Sequence, residues 1–81
     1  MPLQGETCQQ FSEGLVASVP RLRAFARVLS RDPDVADDLV QDTLVQALAS
    51  QHTFRPGTSQ AAWLSTILRN RYFGILRRRR I

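Results

Sequence analysis

Asp37, Asp38 and Asp42 come closest in this chain to a reactive set. Two are consecutive and the third follows one helical turn later, a spacing that could serve acid–base work or hold a cation. Neither use has company. No histidine lies close by in sequence, no glycine-rich loop precedes them, and carboxylates tuned for catalysis need burial that an exposed helix face does not give. Cys8 and His52 are each single residues of their kind, so no zinc set can be drawn. His52 falls at a helix end, where a capping or loop role is expected. The pattern is that of a binding module, not an enzyme, with no cofactor and no metal.

The arginines are the opposite case. All eleven basic residues are arginine; residues 1–42 carry a net charge of −3, and residues 43–81 carry +7 with no acid at all. A solvated charged surface mixes its signs. This polarity points to a protein contact for the acidic part and a polyanion, nucleic acid, for the basic part. Arg55, Arg69, Arg71 and Arg77 to Arg80 can hold phosphates, which positions a nucleic acid without reading it. Asn70 can read a base edge through its paired donor and acceptor. Phe73 and Phe54 can stack on an unpaired base. Each has a plainer alternative: Asn70 as a surface polar group, Phe54 as a plug closing the core under its loop, and Trp63 as core.

These residues need helices to place them. Asp32 can cap a helix whose first position suits Pro33. From there Ala36, Leu39, Val40, Thr43, Leu44 and Ala47 make one apolar arc, which predicts a helix over about 33–50. Asp34, Asp38, Gln41 and Asp42 fall opposite, with Val45 in their midst, so this acidic face should meet a partner other than the one the arginines bind. Upstream, Leu15, Val19, Leu22, Phe25, Ala26 and Leu29 predict a helix or helix pair over about 10–30. Pro20 either kinks it or starts a fresh helix capped by Ser18. Most of Arg21, Arg23, Arg27 and Arg31 lie off the stripe as a solvated face. Gln51 to Gln60 reads as a loop with Pro56-Gly57 as its turn, after which Thr58 or Ser59 can cap a third helix over about 60–80. Leu64, Ile67, Leu68, Tyr72 and Ile75 form its core stripe, with Thr66, Arg69, Asn70, Phe73 and Arg77 opposite. Arg71 projects toward the apolar side, where only snorkelling accounts for it. The expected fold is all-α, a compact three-helix bundle over residues 11–81 behind a flexible lead-in at 1–10. No apolar run approaches a membrane span and no signal-peptide pattern is present, so an intracellular, cytoplasmic location and no membrane partner are expected.

The run DDLVQDTLVQAL, followed by FRPGTSQAAWLSTILRN and a terminal arginine cluster, resembles conserved region 2 of bacterial sigma factors. The likeness is strongest to the extracytoplasmic-function group, in its general-stress-response branch, and VPRLRAFARVLSRDPDVADDLVQD extends it to about residues 12–80. DLVQD at Asp38–Asp42 and AWL…RN at Ala62–Asn70 are its most specific pieces. The resemblance implies that the DLVQD helix docks on the clamp helices of the RNA polymerase β′ subunit through Asp38, Gln41 and Asp42; Val45 is added on physical grounds. It implies that the loop Phe54, Arg55, Pro56, Gly57, Thr58, Ser59 and Gln60 holds a base flipped from the promoter −10 element. Thr66, Arg69, Asn70, Phe73 and Arg77 would read and track the non-template single strand. An anti-sigma factor is a further implied partner, covering the first two helices.

Two departures stand out. Relatives often carry a larger basic or polar side chain at the position of Thr66 and a polar one near Gly74. The linker and region 4, which in the family reads the −35 element, are absent from this sequence, so an excised domain with weak DNA affinity is expected. The rival reading is a sigma-mimicking domain that only sequesters an anti-sigma factor, though such a mimic has no need of the acidic face or the arginine-rich helix. An arginine-rich RNA- or membrane-binding helix would explain Arg77 to Arg80 but not DLVQD.

Overall fold

A computed structural model describes residues 8–79 of the chain. Three helices follow in order, α1 (Cys8–Ser30), α2 (Pro33–Ala49) and α3 (Gln60–Arg79), with a 3₁₀ turn, Gln51–Thr53, after α2. Every pair of these helices packs together, giving the expected three-helix bundle. Among the described residues no helix is long and apolar enough to cross a membrane.

α1 is one continuous helix with Pro20 inside it, so the fresh start at Pro20 is corrected. Ser18 does not cap; its hydroxyl donates to the Gly14 carbonyl one turn back, at 2.9 Å. A proline inside a helix costs about 3 kcal/mol, because it removes one backbone donor and crowds the preceding turn. Core residues on both sides offset that cost: Phe11 and Leu15 before it, Leu22 and Ala26 after it, all buried. The proline itself faces solvent, as does Val16, whose carbonyl loses its partner. Cys8 to Gln10, assigned to the lead-in from sequence, are the first turn of α1, and residues 1–7 lie outside the described residues.

The link to α2 is as tight as its sequence suggests. Arg31 takes a left-handed φ of 56° and its N–H donates to the Arg27 carbonyl at 2.8 Å, closing the end of α1. Asp32 then caps α2: its carboxylate accepts from the N–H groups of Asp34 (2.9 Å) and Val35 (3.3 Å). α2 buries Ala36, Leu39, Val40, Thr43 and Ala47, with Leu44 half-buried against them. Thr43 satisfies its buried hydroxyl by donating to the Leu39 carbonyl at 2.7 Å. α3 contributes Leu64 and Leu68 to the core, flanked by the partly buried Trp63, Ile67, Tyr72 and Ile75.

Candidate nucleic-acid and protein interfaces

α2 turns Asp34, Asp38, Gln41 and Asp42 to solvent. Val45 stands among them 66% exposed, and Leu48, three residues on, is 48% exposed. Leu48 was not foreseen as part of this face. Its spacing from Val45 was the available signal, since residues three apart are neighbours on a helix. Two acids have partners on other helices. Asp37 Oδ1 lies 3.8 Å from Arg23 Nε of α1, and Asp42 Oδ2 lies 3.6 Å from Arg71 Nη2 of α3. Arg71 therefore has an account beyond snorkelling: it spans the α2–α3 junction to the acidic face.

The loop before α3 is built from both ends. Of the two roles open to Phe54, its ring performs the structural one. It is 9% exposed, with its centroid 5.8 Å from that of Phe11 and 5.1 Å from that of Trp63. A ring held in that cluster is not presented to a base, so the stacking role for Phe54 is corrected to that of an anchor. Trp63 joins the same cluster, as core. Next, the Thr58 N–H and hydroxyl both donate to the Arg55 carbonyl, at 3.2 and 2.7 Å. Pro56 and Gly57 occupy the corner, with Gly57 at φ 93°, the proline–glycine signature of a type II turn. Ser59, not Thr58, caps α3, accepting from the Ala62 N–H at 3.1 Å.

Gln60 is also committed elsewhere. Its side-chain amide donates to the Phe11 carbonyl at 3.1 Å, and it lies so close over Gly14 that a Cβ there would overlap it. Its place among the DNA-contacting residues is therefore corrected to that of a tie between α3 and α1. What the loop presents to solvent is Arg55, Pro56, Gly57, Thr58 and Ser59.

On α3, Thr66, Arg69, Asn70, Phe73 and Arg77 are all exposed. Phe73 is 44% exposed, an apolar ring on an otherwise polar face, and its centroid lies 6.2 Å from that of Tyr72. Thr66 spends its hydroxyl proton on the Ala62 carbonyl at 3.0 Å, leaving an acceptor outward. Arg78 and Arg79 are exposed in the last turn, and Arg80 lies outside the described residues. Among the described residues no three His, Cys, Asp or Glu side chains are placed to hold a metal ion.

A family profile described as Sigma-70 region 2 matches residues 15–81. The chain belongs to the sigma-70 region 2 family. It is 53% identical over 68 residues to the ECF RNA polymerase sigma factor EcfG of Rhodopseudomonas palustris (strain TIE-1), covering 84% of this chain and 38% of that one. It is 36% identical over 80 residues to the ECF RNA polymerase sigma factor SigF of Caulobacter vibrioides (strain NA1000 / CB15N), covering 98% and 44%. Among solved structures, the co-crystal of the sigma factor RpoE with the anti-sigma factor NepR from Bartonella quintana matches with a TM-score of 0.83 at 48% identity, over 88% of this chain and 44% of that one. The chain thus spans less than half the length of these relatives. The three helices described above are the sigma region 2 fold.

Proposed function

We propose that this domain is the promoter-recognition module of an extracytoplasmic-function sigma factor serving a stress response. It reads and opens the −10 element on α3 and its loop while α2 docks on the RNA polymerase β′ clamp helices. The observation that carries this reading is the division of the exposed surface. α2 presents carboxylates around the apolar pair Val45 and Leu48, a surface for a protein helix. α3 and the loop present Arg55, Arg69, Asn70, Phe73 and Arg77 with no acid among them.

In this reading the arginines hold the strand by its phosphates. Asn70 selects a base, and Phe73 offers a stacking face that favours the unpaired strand over the duplex. The turn at Arg55–Thr58 cradles a flipped base with its backbone, and Phe54 fixes the turn from below. Strand separation then follows from binding alone, so the domain acts in the cytoplasm as a binding module without chemistry of its own. An anti-sigma factor is a further partner, as the RpoE neighbour was solved with one.

The test is binding to a library of single-stranded −10 non-template oligonucleotides, with Asn70→Ala and Arg55→Ala beside wild type. A preference at one or two positions that Asn70→Ala flattens is expected. In parallel, Asp38→Ala with Gln41→Ala should abolish binding to a β′ clamp coiled coil and leave DNA binding unchanged. Equal binding to every sequence that vanishes at moderate salt would reduce the arginines to a polycation. The sequestering mimic would then be the better reading.

A further inference from the structure

Between α2 and α3 runs an open cleft of about 500 Å³, within the range of roughly 300–1,000 Å³ usual for small-molecule sites. Its walls are not those of a mere packing gap. Ile67 and Ile75 of α3 give an apolar floor, and Gly74 leaves that floor open, since a Cβ there would meet nothing within 4 Å. Gln46 of α2 and Asn70 of α3 supply two amides at the rim. Arg71, held to Asp42 through one nitrogen at 3.6 Å, keeps further guanidinium donors, and Arg78 adds a second cation.

An aliphatic floor, amides with paired donors and acceptors, and two guanidinium groups suit one chemical class, a nucleotide: base on the floor, base edge to the amides, phosphate to the arginines. The helical repeat supplies the route. At 100° per residue, Asn70 stands at the border between the outward face (Thr66, Arg69, Phe73, Arg77) and the cleft face (Ile67, Gly74, Arg78). A strand tracking the outward face reaches the cleft directly over Asn70.

The geometry points to this cleft as a seat for one unpaired nucleotide, separate from the loop that holds the flipped base. The inference rests on the promoter-reading function proposed above, and Asn70 serves both sites. Filling the cleft without touching charge tests it: Gly74→Leu places a side chain on the floor, and its melting temperature should not fall because glycine is the poorer helix former. The expected result is a loss of roughly fivefold or more in affinity for the preferred −10 oligonucleotide, the usual contribution of one seated base, with the salt dependence unchanged. An abasic site at one position should weaken wild type by the same factor and weaken Gly74→Leu no further. Methyl resonances of Ile67 and Ile75 should shift with that oligonucleotide.

Wild-type affinity and base preference in Gly74→Leu would overturn the cleft site and leave the promoter reading standing. Binding without base preference in either protein would overturn both. Methyl shifts caused by free deoxynucleoside monophosphates, but not by the oligonucleotide, would keep the nucleotide site and assign it to a free nucleotide.

Discussion

Replacing Phe54 by alanine separates a stacking ring from a buried one. Phe54 is 9% exposed and touches two other rings, at centroid distances of 5.8 and 5.1 Å. A buried phenylalanine removes about 150–250 Å² from water, worth about 4–6 kcal/mol at about 25 cal/mol per Å² as an upper bound. Measured phenylalanine-to-alanine losses in cores run from about 3 to 5 kcal/mol. Because Phe54 sits on a loop that can partly collapse, the low end applies, about 3 kcal/mol. A domain of this size has about 4–12 kcal/mol in total, so most of a modest reserve goes, and the melting temperature should fall by about 12–24 °C. The single tryptophan, Trp63, lies against the deleted ring and reports the transition by its emission. Phe54→Leu, which keeps most of the volume, should recover most of the stability and bind single-stranded DNA as wild type below its melting temperature. A Phe54→Ala protein that melts within a few degrees of wild type yet no longer binds DNA would refute the buried-anchor account and restore the ring to the DNA surface.

Other consequences are smaller in size. Arg31→Gly relieves the left-handed residue at φ 56° and should stabilise by about 1 kcal/mol, seen as an upward shift in melting temperature. Asp32→Ala removes the α2 cap and should cost about 1 kcal/mol, while Asp32→Asn or Asp32→Ser should cost far less. Arg69→Gln and Arg77→Gln should each lower the slope of log affinity against log salt for single-stranded DNA by about 0.7, one phosphate contact apiece. A slope that does not change removes that arginine from the strand's path.

The features legible in the sequence are those decided by near neighbours. The Asp32 cap, the Pro56-Gly57 turn and the arc from Ala36 to Ala47 each depend on residues within a turn or two, and all three stand in the structure. The misread residues have distant partners. Gln60 looks like a free polar group beside a turn, but its amide bonds a carbonyl 49 residues earlier. Arg71 makes sense only once α2 and α3 cross so that Asp42 faces it. Phe54 had two roles open because an aromatic in a loop is equally consistent with either until Phe11 and Trp63 are placed around it. Pro20 obscured the continuity of α1, since local propensity argues for a break and only packing on both sides outweighs it.

The aromatic triad and the Gln60 amide also define where the bundle opens. Phe11 holds Phe54 and Trp63 by its ring and Gln60 by its carbonyl, so the opening turns of α1 and the promoter-facing loop cannot part company singly. They should unfold locally as one cooperative unit. Amide protons at the start of α1 and those of the Arg55–Ser59 turn would then exchange with solvent through a shared opening. A partner that clamps the first turns of α1 would thereby slow the breathing of a loop it never touches.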